Sequence, residues 1–155
     1  MHVVIATDGS KQSLAAAKHL RSLAAPEAIS DVTVLAVVRP LAAVSFVDEL
    51  SGPRRKDAGS PSSVASFRDA AKASIEVIAD VFAGWGPKVH KKIRSGSPAN
   101  EIIKAAEQLD AGLVVVASGG RGLSDRVMLG STAQRVQQYA PCPVLVVRPA
   151  PSRKK

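Results

Sequence analysis

Residues 111–147 decide the fold: AGLVVVASGGRGLSDRVMLGSTAQRVQQYAPCPVLVV. The run Leu113-Val114-Val115-Val116 halts at Ala117-Ser118-Gly119-Gly120-Arg121-Gly122, and a second run, Val144-Leu145-Val146-Val147, follows Pro141-Cys142-Pro143. Short valine-rich runs bounded by Gly and Pro read as strands buried on both faces. Nine residues separate Gly120 from Gly130, and Ser131-Thr132 then open a helix predicted to run to about Tyr139. Strand, glycine-rich loop, helix, strand is the order in which parallel α/β proteins hold phosphate. Glycines let backbone N–H groups approach an anion, and the first turn of a helix adds unpaired donors at the positive end of its dipole.

The same grammar extends toward the amino terminus. His2–Thr7 (HVVIAT) is a first strand ended by the turn Asp8-Gly9-Ser10. Ser10 is a candidate N-cap for a helix carrying Leu14, Ala17, Leu20 and Leu23 at helical spacing until Pro26 stops it. Asp8 falls where the first strand meets the carboxyl edge of the sheet, the edge at which ligands bind. It is equally placed to bond its own turn backbone. Val32–Val38 is the second strand. Residues 41–63, with Pro53 and Pro61, read either as a lid or as a surface excursion with a frayed helix around Ala42–Leu50. Val64, Phe67, Ala71, Ile75, Ile78 and Phe82 lie on one face of a long helix broken by Gly84-Trp85-Gly86-Pro87. Val89–Arg94 (VHKKIR) is a third strand whose polarity places it at an edge, with His90 facing solvent. Ser97 as N-cap and Pro98 at the first helical position start a helix buried through Ile102, Ile103, Ala106 and Leu109. The tally is β-α-β-α-β-α-β-α-β, an open, doubly wound α/β sheet with helices on both faces.

Composition sets the outer bounds. The 155 residues suit a single domain burying roughly 70% of its unfolded surface. With Phe46, Phe67, Phe82, Trp85 and Tyr139 as the whole aromatic complement, the core must be aliphatic. The single cysteine, Cys142, excludes an internal disulfide and multi-cysteine metal sites, and its place between two prolines reads as a packed thiol. His2, His19 and His90 read as solvent-facing residues without metal-ligand spacing. No run approaches the roughly 20 apolar residues of a membrane span, and the chain enters its first strand directly, so a cytoplasmic protein is expected. The net charge of +8 is spread over Arg54-Arg55-Lys56, the third strand and the terminal Arg153-Lys154-Lys155. Residues 149–155 are expected to form a disordered basic tail behind a domain spanning 1–148. Without an aromatic platform or recognition motif, specific nucleic-acid binding is not expected.

Four segments together resemble the universal stress protein family over nearly the whole chain: VVIATDGSKQSLAAAKHL from Val3, GSPANEIIKAAEQLDAGLVVVAS from Gly96, MLGSTAQRV from Met128 and APCPVLVV from Ala140. The resemblance implies an adenine-nucleotide-binding fold with strand order 3-2-1-4-5. It also implies a homodimer formed by antiparallel pairing of the last strands, here Val144–Val147. Family members that bind ATP carry a loop of the form G-x2-G-x9-G-[ST]. Gly120, Gly130 and Ser131 match it, and Ala117 stands at the first glycine. If that position needs a positive φ, alanine is strained by roughly 1 kcal/mol or more; if φ is negative, its methyl can be harmless.

By the same resemblance Ala6, Thr7 and Asp8 would lie beside base and ribose, and Val37 against adenine. Val116, Ala117, Gly119 and Gly120 would flank ribose and phosphates, while Gly130, Ser131, Thr132 and Ala133 would supply phosphate donors. Any Mg²⁺ or Mn²⁺ would be carried by the phosphates. No Ser/His/Asp set, paired carboxylates or P-loop lysine accompanies the loop, so at most slow ATP hydrolysis or autophosphorylation is expected. The leading reading is an ATP-dependent stress-response switch, with bound nucleotide favouring one arrangement of residues 39–63 and of the dimer. The alternative is a non-nucleotide-binding dimeric interaction protein with a vestigial pocket.

Overall fold

The computed structural model describes residues 1–39, 61–119 and 129–148. The elements are β1 (His2–Thr7), α1 (Lys11–Leu23), a 3₁₀ turn (Pro26–Ala28), β2 (Asp31–Val38), α2 (Pro61–Val81), β3 (Lys88–Ser95), α3 (Pro98–Gln108), β4 (Leu113–Ala117), α4 (Ser131–Tyr139) and β5 (Val144–Val147). The five strands form one parallel sheet in the order β3-β2-β1-β4-β5. This is the order that the family resemblance implies, with β3 at one edge as its polarity foretold.

Alternation along each strand sends successive side chains to opposite faces. Val3 and Ile5 of β1, Val34 and Ala36 of β2 and Val115 of β4 pack beneath α1 and α2, against Ala16, Leu20, Ile75, Ile78 and Phe82. Val4, Leu35, Val114 and Val116 pack on the other face against Ala99, Ile102, Ala105 and Ala106 of α3 and Ala133 and Val136 of α4. Both faces of β1 and β4 are thus dry, which is why these strands read as unbroken apolar runs. Phe82 is the largest fully buried side chain and stacks at a tilt on Trp85, ring centroids 5.5 Å apart.

The helix starts follow their capping chemistry. Ser10 has extended backbone and its hydroxyl accepts from Ser13 N–H at 3.2 Å. Ser97 occupies the cap position of α3 without a side-chain cap bond. There the first-turn residue Glu101 accepts from Arg94 Nε at 2.8 Å, which ties α3 to the end of β3. The Arg94 hydrogen bond, with Lys104 alongside, holds the Glu101 carboxyl below the usual carboxylate range.

Several sequence expectations need correction. Pro61-Ser62-Ser63 is the first turn of α2 rather than loop, because proline's fixed φ suits the first helical position. Phe67, expected on the buried face, is 49% exposed because that part of α2 flanks a groove instead of the sheet core. Leu23 is likewise exposed, at the last residue of α1. His2 is half-buried rather than solvent-facing, and its Nε2 lies 2.7 Å from Thr33 Oγ1 on the neighbouring strand. His90 is a half-exposed edge residue bonded to Asp31 Oδ1 at 2.8 Å. The Cys142 thiol packs against the core beneath α3 and α4, and burial pushes its pKa up. The frayed helix expected at Ala42–Leu50 and the tail at 149–155 lie outside the described residues.

Candidate functional site

The strand order reverses between β1 and β4, so the helices that follow them, α1 and α4, lie on opposite faces of the sheet. Ligands of open α/β sheets bind in the crevice at such a switch point. There the protein has a cleft of about 420 Å³, within the size range of small-molecule sites. Its floor is Ala6 and Val116, one side is Val37 at the end of β2, and the other is the start of α4. Of the twelve residues expected at the site, Ala6, Thr7, Asp8, Val37, Val116, Ala117, Gly119, Gly130, Ser131, Thr132 and Ala133 all line this cleft. Gly120 lies outside the described residues.

The cleft opens on the start of α4. Gly130 is the N-cap, and lacking a side chain it offers no capping oxygen. The first-turn N–H groups that follow it therefore keep their capacity to bond a ligand. Two backbone bonds fix the position of this end. Ser118 N–H donates to Val147 O at 2.9 Å, and Gly130 N–H donates to Ser118 O at 2.6 Å. Ser118, 7% exposed, thus joins β4, β5 and the α4 cap.

Ala117 is the last residue of β4, in register with Val147. Among the described residues only Asp110 has a positive φ without being glycine, so Ala117 is in extended backbone and carries no left-handed strain. Its methyl packs with Val115 on the α1 and α2 face of the sheet. The apolar part of the cleft, Ala6, Val37 and Val116, belongs to the α3 and α4 face.

At the opposite wall, Asp8 is exposed and its Oδ1 accepts from Ser10 N–H at 2.9 Å. Asp8 thus bonds its own turn, as one reading expected, and also lines the cleft. Thr7 contributes backbone rather than hydroxyl, since Thr7 Oγ1 turns to Ser13 and Ser74 on the other face. Six residues of the lining were missed by sequence reasoning. Leu35, Pro98 and Ile102 add apolar wall, Ser118 borders the cleft at the end of β4, Ser13 borders it with its hydroxyl committed to Ser10 O, and Arg39 adds the one cation lining the cleft among the described residues. Arg39 directly follows the second strand on the ligand-binding edge, a signal as good as the one that singled out Asp8. Among the described residues no group of three or more His, Cys, Asp or Glu is placed to hold a metal. Asp8 is the one carboxylate in the cleft lining among the described residues.

A parallel sheet in this order, with helices on both faces and a cleft at its switch point, defines a doubly wound α/β domain. The chain belongs to the universal stress protein family, whose sequence model matches residues 1–148. It is similar to universal stress protein MJ0531 of Methanocaldococcus jannaschii, 35% identical over 94% of this chain and 81% of that one. Among solved structures it is similar to hypothetical protein MJ0577, 26% identical, covering 99% of this chain and 96% of that chain at a TM-score of 0.73. Two further structures share the fold at lower identity. One is a universal stress protein in complex with cAMP (19% identity, 96% of each chain, TM-score 0.62). The other is a universal stress protein family protein from Arabidopsis thaliana with AMP bound (17% identity, 100% of this chain and 96% of that chain, TM-score 0.65). No described helix is long and apolar enough to cross a membrane.

Proposed function

We propose that the protein binds an adenine nucleotide, ATP, in the switch-point cleft and works as a cytoplasmic, nucleotide-responsive switch of the stress response. The observation that carries this reading is the convergence of the expected residues on one cleft, at the start of α4, whose N-cap Gly130 has no side chain. Adenine packs between Ala6 and Val37, ribose lies by Asp8, and the phosphates take the N–H and hydroxyl groups of residues 130–133. Mg²⁺ or Mn²⁺ arrives with the phosphates. The extended backbone at Ala117 and the packing of its methyl on the far face support the reading, since the missing first glycine then closes nothing. The structures with cAMP and AMP, which share this fold, support the ligand class.

The switch needs an assembly to act on, and the β5 edge provides one. Val114 N–H bonds Pro143 O and Ser118 N–H bonds Val147 O. In a parallel ladder this alternation turns residues 143, 145 and 147 toward β4, so the backbone groups of Val144 and Val146 point outward. A row of outward groups on a short apolar edge strand is a template for a second copy. The protein dimerises by antiparallel pairing of Val144–Val147, and nucleotide occupancy shifts the population of dimer arrangements.

The test is chemical. Natively purified protein is denatured and the released small molecules are identified. An adenine nucleotide at close to one per chain supports the proposal. Absence of nucleotide, together with no uptake of added ATP, makes the protein a dimeric interaction module with an unused cleft.

A further inference from the structure

Three hydroxyls from three different elements meet behind the cleft. Thr7 Oγ1, at the end of β1, lies 2.9 Å from Ser13 Oγ on α1 and 2.7 Å from Ser74 Oγ on α2. Ser13 is 2% exposed and Thr7 6%, so both hydroxyls are largely shielded from bulk water. Each hydroxyl has a single proton to give. Ser13 Oγ spends its proton on Ser10 O, 2.8 Å away, a carbonyl that can only accept. Thr7 must therefore donate to Ser13, and Ser74 must donate to Thr7. Thr7 Oγ1 accepts a second bond from Gly9 N–H at 3.1 Å. The chain has one proton order: from α2, through the end of β1, into the first turn of α1.

This chain braces the turn that carries Asp8. Gly9 holds a positive φ of 81°, with its N–H on Thr7 Oγ1. Ser10 N–H bonds Asp8 Oδ1, and Ser10 Oγ receives Ser13 N–H. Ser74 itself does not line the nucleotide cleft. It lines the larger groove between α1 and α2, about 980 Å³ in volume, which adjoins the cleft and shares Thr7, Asp8, Ser13, Val37 and Arg39 with it.

We propose that Ser74 is a positioning residue for the nucleotide site, a role that rests on the reading of that site given above. By donating to Thr7 it completes the order that the Ser10 carbonyl imposes and thereby braces the Asp8-Gly9-Ser10 turn from the α1 and α2 face of the sheet. Without this donor Thr7 Oγ1 loses one of its two incoming bonds and the turn is held less firmly, although no atom of the cleft lining has been changed.

The experiment compares the full-length parent with Ser74→Ala and with Ile78→Val, a control on the same helix whose side chain is 1% exposed and makes none of these bonds. Amide hydrogen exchange reports the turn and Mg-ATP titration reports the site. In Ser74→Ala the Gly9 and Ser10 amides exchange about tenfold faster, the signature of easier local opening. ATP binds about fivefold more weakly, the ratio that corresponds to roughly one neutral hydrogen bond. Ile78→Val changes neither quantity. Unchanged exchange at Gly9 and Ser10, or equal changes in Ile78→Val, overturns the positioning role and leaves nucleotide binding standing. A parent that does not bind ATP overturns both.

Discussion

Replacing Ala117 by glycine restores the complete glycine pattern of the loop, and it is expected to harm the protein without helping the ligand. Ala117 closes β4, pairs with Val147 and packs its half-buried methyl on the α1 and α2 face. A fully buried methylene contributes about 0.8 kcal/mol, so a half-buried methyl contributes roughly 0.4. Glycine in a strand costs a further ~0.5–1 kcal/mol in backbone entropy. The total, about 1–1.5 kcal/mol, lowers the urea midpoint by roughly 0.6 M at a slope of order 2 kcal/mol per molar. Urea unfolding followed by circular dichroism measures this loss. Mg-ATP affinity, measured by calorimetry on the same preparations, stays within about twofold of the parent, a difference under roughly 0.5 kcal/mol. ATP binding tightened by more than about fivefold in Ala117→Gly would mean that the methyl intrudes on the nucleotide, and would refute the placement of Ala117 on the far face.

Further outcomes follow from other parts of the molecule. Phe82→Ala empties the largest buried site and removes the partner of Trp85, costing about 3–5 kcal/mol by urea unfolding. A loss under roughly 1 kcal/mol would show that α2 does not form the core described. Burial holds the His2 imidazole below its ordinary value of 6.5, with Asp31 pulling the other way and His90, Lys92 and the N-terminal ammonium reinforcing burial. The unfolded chain then takes up a proton that the folded chain refuses. The stability due to neutral His2 is complete above 6.5 and is lost as pH falls toward the depressed folded value. Stability should decline from about pH 7 to pH 5.5 less steeply in His2→Gln than in the parent, and equal slopes would remove His2 as the cause. Val146→Pro deletes an outward N–H while leaving the β4 ladder intact. Light scattering should find a monomer where the parent is a dimer, and an undiminished dimer would place the interface elsewhere.

Much of this was legible in the residues because burial leaves a plain mark on composition. Strands β1 and β4 are covered on both faces and read as continuous valine-rich runs, while β3 at the edge reads as VHKKIR. The cleft was legible because Asp8 and Gly130, which line it, sit where the sequence passes from strand to helix, and turn and cap chemistry is local. What escaped depends on partners distant in the chain. Phe67 fits the apolar period of α2, but only the position of the sheet decides that this turn of the helix overhangs a groove. His2 is drawn inward by Thr33, and the hydroxyls of Thr7, Ser13 and Ser74 meet only when α2 packs against the end of β1. Helical or strand spacing carries no trace of such pairings. The conformation of Ala117 likewise had to come from the structure, because its identity alone is compatible with either sign of φ.

The central claim, that nucleotide sits at the start of α4, is tested most directly by calorimetric titration of nucleotide-stripped protein with Mg-ATP beside Gly130→Val. Gly130 has φ −59° and ψ 152°, a conformation open to any residue, so valine alters the cleft lining without straining the backbone. The parent should bind one ATP per chain with a micromolar constant, about −8 kcal/mol, and the variant should remain folded and bind none. No heat from the parent, or undiminished binding by Gly130→Val, would contradict it.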